Sequence, residues 1–590
     1  MKCLTRYRNK IEADLGVANL FDKAPTIYFS PEESSCQQAA KVLKTRRKRV
    51  VTLDIGPFHA VEKVLTDAKE TITYHSHQLR SLTPWRGTYG YDVLVHVGYA
   101  LFVHNRNEQQ IIGDLAQRNI GISQREIGFL GQKFIAYLAI AHQQSRPRLK
   151  DHMAKNGGYI LHLDGTCESD SPHLFTGMDG ISEIVLENVK LPSEKGELII
   201  PFLREIQKAY GNPIALVHDM GQGILYAVKT VFPDTPDFIC HFHFLRDIGK
   251  DLLEPEYRQI RNRLQKHQIR SVLRQKARAL EKHLESGGQS ANTLIEALDE
   301  ERIHSSKPAP ELIAYAMIQW TFTISGELEG YGFPFDCPHW NFYQRLKRLY
   351  EFINQSANWD ANNKPLRGLW RSLTKVVEDP QLKKAATRME ERTEVFAKLR
   401  QALSIALPEG GKGLNDDGTD TDLKTIEAAI IKFREEIVVD PHASRKPEYK
   451  KMIKQIDKYW DKLFADSITV DCPDGPVAIQ PQRTNNILER FFRDLKRGGR
   501  KKTGANSLSK ALRAILSDTP LVKNLANAHY LEILLDGSDT LEERFAKIES
   551  QMVLDKLSVE QSQSDKIRPE MKKIIRLPDL PERLTELLAA

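Results

Sequence analysis

Three carboxylates, far apart along a 590-residue chain, sit where a site for hard cations would be built. Asp164 closes Tyr159–Asp164 (YILHLD), an apolar run of strand length. Asp219 closes a second such run, Ile214–Asp219 (IALVHD). Glu489 stands within Thr484–Lys502 (TNNILERFFRDLKRGGRKK), a stretch that reads as a two-faced helix. No Cys or His cluster of metal-binding spacing accompanies them, so the ligand chemistry is that of oxygen, which suits Mg²⁺ or Mn²⁺. Two such ions about 4 Å apart activate an attacking hydroxyl and stabilise a leaving 3′-oxygen during in-line displacement at phosphorus. Taken singly, each aspartate reads equally well as a turn residue after a strand. Glu489 alone reads as the i,i+4 partner of Arg493 on a solvated face. The combination and its order along the chain point to phosphoryl transfer.

The elements that must position these groups are legible around them. In the helix of Glu489, residues Thr484, Asn485 and Asn486 offer capping side chains. Ile487, Leu488, Phe491, Phe492 and Leu495 share one face, and Glu489, Arg493 and Lys496 the other. Gly498 and Gly499 are expected to end the helix. Arg490, Arg493, Lys496, Arg497, Arg500, Lys501 and Lys502 make its surroundings cationic, as a grip on a phosphate backbone requires. Between and after the aspartates, strands are expected at Glu183–Val189 and Phe238–His243, and helices at Glu197–Tyr210 and Gln222–Phe232. Strands alternating with helices imply a parallel or mixed sheet, whose strand ends are where sites are built.

Upstream, Lys44–Arg49 (KTRRKR) leads into an expected strand, Val50–Ile55; the run is either a solvated turn or a phosphate-touching arm. Asp54 in that strand has no second carboxylate-bearing strand at close range. His75 and His77 lack a partner pair at zinc spacing and read as exposed loop or strand. Residues 105–142 carry a helix-turn-helix pattern. Asn107 caps one helix, Asn119–Ile122 turns, and Ser123-Gln-Arg-Glu126 opens a second as a capping box. In that motif the second helix reads the major groove by its first residues, here Ser123, Gln124 and Arg125. Packing of two helices without DNA is the other reading.

Composition bounds the class. Hydrophobic residues at 41% and charged residues at 28% describe a soluble globular protein of several domains. The net charge of +7, from 85 basic and 78 acidic residues, is a mild hint of a polyanionic partner. The six cysteines are scattered without a CxxC pair, which argues for a reducing compartment. The N-terminus has no apolar signal core and no run of about 18 apolar residues occurs, so no membrane partner is expected. Residues 254 to about 470 are charged and helical in pattern, and Pro408–Asp422 (PEGGKGLNDDGTDTD) is a flexible break.

Three motifs in order resemble the DDE transposases with a ribonuclease H-like core, in particular Mutator-like elements and related bacterial insertion-sequence transposases. They are LHLDGT at Asp164, LVHDMGQGILYAVKTVFPDTPDFICHFHFLRDIGKDL at Asp219, and TNNILERFFRDLKRGGRKKTG at Glu489. The likeness covers roughly residues 155–253 and 470–505. It implies an α/β ribonuclease H-like mixed sheet core interrupted by a large all-helical insertion, with an N-terminal helix-turn-helix region. The implied layout is a small α/β region at 1–90 and the helix-turn-helix at 91–155. The core follows at 156–253 and 470–520 around an insertion at 254–469, and a helical tail occupies 521–590. It implies a transposase with Asp164, Asp219 and Glu489 as catalytic ligands of two Mg²⁺ or Mn²⁺ ions. Implied partners are duplex DNA, element terminal inverted repeats and target DNA, bound as a homodimer. The implied location is the cytoplasm, on the nucleoid of a bacterial host. Cys240 and His243 reproduce the group's C-x-x-H; they read as half a zinc site, as packing, or as support for the site. Relatives often carry an N-terminal zinc module, but the cysteine-free stretch here predicts none. A metal-dependent nuclease and an inactive DNA-binding protein are the rival functions.

Overall fold

The computed structural model describes residues 21–32, 41–67, 71–286, 291–298, 309–323, 328–355, 364–406, 423–464, 466–473, 475–504, 507–564, 571, 574–575 and 577–589. The break expected at Pro408–Asp422 lies outside them. The chain forms two compact units, 1–237 with 467–590, and 238–466.

The first unit is mixed α/β. Its N-terminal sheet contains β1 (Thr26–Phe29), β2 (Lys41–Thr52), β3 (Gly56–Thr66) and β4 (Thr73–Tyr74), with β3 between β1 and β2. The KTRRKR run lies inside β2, not at a turn before it, and the strand stops at Thr52 where the sequence suggested Ile55. Val50 and Val51 are buried, and Leu53–Ile55 make the turn into the antiparallel partner β3. Helices α1 (His77–Leu82), α2 (Tyr91–Gly98), α3 (Glu108–Gln117) and α4 (Gln124–Lys155) follow. Asn107 and Gln110 cap α3 reciprocally, and the Ser123 hydroxyl accepts from the Glu126 N–H at the start of α4. α4 runs for 32 residues, and its middle, with Phe134, Tyr137 and Leu138, is core.

The second sheet has the order β7–β6–β5–β8–β9, with β5 (Ile160–Thr166), β6 (His173–Asp179), β7 (Val185–Leu191), β8 (Ala215–His218) and β9 (Asp237–Ile239). β6 lies between β7 and β5, antiparallel to both, and β8 is parallel to β5. β5 and β8 are buried on both faces, which is why each reads as an unbroken apolar run. The connection from β7 to β8 carries α5 (Gly196–Tyr210), and α6 (Gln222–Val231) follows β8. The strand expected at Phe238–His243 is only Asp237–Ile239, because Cys240 already begins a helix, α7 (His241–Lys266). The open edge of β7 is covered from the C-terminal part of the chain. Asn524 Oδ1 accepts from the Val185 N–H and its Nδ2 donates to the Val185 carbonyl, each at 2.8 Å.

The second unit is helical from α7 to a short last helix at Trp460–Leu463, with no strand among its described residues after Ile239. In no part of the described chain is a helix long and apolar enough to cross a membrane.

Candidate functional site

Asp164 and Asp219 are neighbours because β5 and β8 are parallel and in register. Leu163 pairs with His218, so the next residue along each segment is the aspartate: Asp164 inside β5, which runs on to Thr166 and does not close there as expected, and Asp219 just past the end of β8. The Asp164 carboxylate accepts from the Gly165 N–H at 2.8 Å and the Asp219 carboxylate from the Gly221 N–H at 3.1 Å. Asp164 is 7% exposed. Burial pushes its carboxyl well above the usual range, and the negative charges of Asp219, Glu489 and Glu194 push it further, against the Gly165 hydrogen bond.

Glu489 is brought to the same place by a tether. Its helix spans Asn486–Thr503. Ile487, Leu488, Phe491 and Phe492 are buried, at roughly 1.5–3 kcal/mol of stabilisation each. Asn485, fully buried at the N-cap, does not cap the helix with its side chain as its residue type suggested. The amide is turned to the sheet instead. Its Nδ2 donates to the Leu163 carbonyl at 2.8 Å, and its Oδ1 faces His162 Nδ1 at 2.9 Å. Burial holds His162 down at about 4, so it is neutral, and the amide orientation places the proton on Nδ1. The Asn485 carbonyl then accepts from the Glu489 N–H at 2.9 Å. One helical turn therefore separates Glu489 from a residue pinned to the strand of Asp164.

The helix also corrects the sequence reading at its far end. It continues through Gly498 and Gly499 and stops at Gly504, whose φ of 68° is left-handed. Gly498 is buried where a Cβ would overlap the Asn105 side chain, so this glycine serves close approach, not termination.

The cationic residues divide. Arg493, Lys496, Arg500 and Lys501 are exposed. Arg490 is paired with Glu183 at 3.3 Å, and Arg497 with Asp494 at 3.7 Å. Lys502 lies partly buried with Nζ 4.8 Å from the Phe102 ring centre, and burial lowers its pKa. Ser123, Gln124 and Arg125 are exposed at the start of α4. Cys240 and His243 belong to the second unit, at the start of α7, both buried. Burial, with Arg246 and Lys250, holds His243 down at about 3.

One residue that sequence reasoning missed stands beside Asp164. Glu194 acts on it electrostatically and holds His173 Nδ1 at 3.0 Å. A Cβ at Gly223 would overlap the Glu194 carbonyl, so the glycine lets the start of α6 close on this loop. No local pattern in the sequence around Glu194 marks it; Asn485 was visible only as one of three capping types. Among the described residues, no three His, Cys, Asp or Glu side chains are closed up into a metal-binding group.

Among solved structures, the Drosophila P element transposase strand transfer complex is similar to this chain at a TM-score of 0.30 and 12% identity, over 77% of this chain and 96% of that one. A likeness of that degree fixes neither fold nor function. No family model matches the chain, and no curated protein matches it.

Proposed function

We propose that the chain is a DNA transposase that cleaves element ends and joins a 3′-hydroxyl to target DNA, using a ribonuclease H-like core. The observation that carries this reading is the in-register pairing of β5 and β8, which sets Asp164, within β5, and Asp219, just past the end of β8, side by side near the tethered helix of Glu489. The order β7–β6–β5–β8–β9, antiparallel on one side of β5 and parallel on the other, is the mixed sheet that such a core needs. Asp164 fits a cation's place, because its carboxylate is buried beside the like charges of Asp219 and Glu489. Asp164, Asp219 and Glu489 would hold Mg²⁺ or Mn²⁺, two ions per site, which when bound supply charge to activate the nucleophile and the leaving oxygen. The chain's own work is positioning. Arg493, Lys496, Arg500 and Lys501 hold backbone phosphates, and the buried sheet fixes the aspartates. Ser123, Gln124 and Arg125 read the ends, and the active form on DNA is a homodimer.

The test uses pre-cleaved duplex ends with a labelled target in Mg²⁺. Strand transfer by the parent, absent in Asp164→Asn and Asp219→Asn variants that still bind DNA, is the expected result. Hydrolysis without joining makes the chain a nuclease, and neither activity makes it a DNA-binding protein.

A further inference from the structure

The basic strand β2 is not explained by the site above. Lys41–Arg49 contains six cations and no acid. Alternate residues of a strand share a face and stand about 6–7 Å apart. Lys44, Arg46 and Lys48 fall on one face, opposite Val64, Glu62 and Ala60 of β3. Trp85, 44% exposed, is a platform beside that face. The Arg46 guanidinium lies 4.1 Å from its ring centre and that of Arg80 5.7 Å, so two cations are held in place by one indole. Lys48 Nζ donates to the Pro84 carbonyl at 2.9 Å, which ties the strand to the Trp85 loop.

That loop is fixed in turn to α4. The Trp85 N–H donates to Ser550 Oγ at 3.2 Å, and Ser550 Oγ lies 3.5 Å from the Tyr137 hydroxyl. Lys133, one turn before Tyr137, is close enough to act on Lys48, whose pKa falls to about 8 through burial and then the repulsion of Arg46, with Glu62 opposing and Lys133 adding. Lys133 is eight residues, roughly 12 Å, along α4 from Arg125. The acids against this cluster are Glu62, buried and 3.8 Å from Arg46, and Glu126 near Lys133.

We propose that Arg46 and Arg80 on Trp85, with Lys44 and Lys48 on the same face of β2 and Lys133, over the Phe129 ring, near Lys48, form a contact for the backbone of duplex DNA, separate from the helix of Glu489 and leading to the exposed start of α4. Solvated lysines suffice to keep an edge strand from pairing with another chain. They do not account for two guanidinium groups stacked on an exposed indole, with an excess of positive charge that a polyanion would complement. Only the identity of the duplex as an element end rests on the transposase reading.

The experiment is fluorescence anisotropy with a random-sequence duplex of about 30 base pairs over a salt series, where each lost phosphate contact lowers the salt slope by about 0.9. Arg46→Gln/Arg80→Gln should lower the slope by about 2, and Arg46→Lys/Arg80→Lys should restore most of it. Arg47→Gln, on the opposite face of β2, should keep the parent slope. Asp164→Asn should also keep it, so loss of chemistry and loss of this contact are read separately. A double Gln variant with parent circular dichroism and parent slope overturns the proposal. Equal binding to phosphatidylserine vesicles, lost in the same variant, overturns the assignment to DNA.

Discussion

Asn485→Ala tests the tether on which the candidate site depends. The parent amide satisfies a buried histidine N–H and a buried strand carbonyl at once, at 2.9 and 2.8 Å. Truncation leaves both His162 Nδ1 and the Leu163 carbonyl without that partner in a place with no exposed surface. Each such loss costs about 1–3 kcal/mol, and partial relaxation brings the expected sum to about 2–4 kcal/mol. The apolar face of Ile487, Leu488, Phe491 and Phe492 is untouched, so the helix should still form and dock. Its register on β5 loosens, and a displacement of about 1 Å at Glu489 is worth roughly 100-fold in rate. Urea unfolding followed by circular dichroism measures the first effect, and single-turnover cleavage of an end duplex the second. DNA binding should hold, because no cationic side chain is altered. A variant within about 0.5 kcal/mol of the parent, the range of an ordinary surface change, refutes the tether. A variant destabilised as expected but cleaving at the parent rate separates the tether from the chemistry.

Glu489→Gln should bind DNA as well as the parent or slightly better, and lose cleavage and strand transfer by orders of magnitude; a gel assay of both activities checks this. Arg125→Ala should weaken binding to element ends more than to random duplex, whereas Arg500→Ala and Lys501→Ala should weaken both alike and flatten the salt dependence. Lys502→Ala should change DNA binding little, because that side chain is folded onto Phe102. His142, buried against Tyr530 Oη at 2.9 Å and the Leu186 carbonyl at 2.8 Å, is held at about 4 against an ordinary 6.5. The unfolded chain therefore takes up this proton first as pH falls. Stability is full above 6.5 and is lost down to about 4, by about 3 kcal/mol in all. Urea midpoints compared across that range should fall less in His142→Gln than in the parent.

The two strands were legible because they are buried on both faces. A strand of that kind leaves a continuous apolar run, and a charged residue after it is conspicuous; Asp219 does follow the end of β8, whereas β5 runs on past Asp164 to Thr166. The helix of Glu489 was legible from its 3.6-residue period alone. β6 was not expected: His173–Asp179 (HLFTGMD) has no clean alternation, since its buried positions run on without a polar face. The extent of α4 was missed for a related reason. A capping box marks where a helix begins, but its end at Asn156 lies far past the turn pattern that drew attention to its start.

What the sequence concealed is where polar side chains are spent. A glycine pair inside a cationic stretch looks like a stop, and an asparagine before a helix looks like a cap, because local rules apply to both in the absence of neighbours. In the folded chain Gly498 answers to Asn105, nearly 400 residues upstream, and Asn485 to His162 and Leu163, more than 300 residues upstream. Glu194 reaches Asp164 only because Gly223 allows the loop before α5 to touch the start of α6. Each of these pairings is set by which segments the sheet order brings side by side. The residues that hold the site in place thus carry local signals of other roles, while those proposed to do the chemistry stand in or just past elements whose period already announces them.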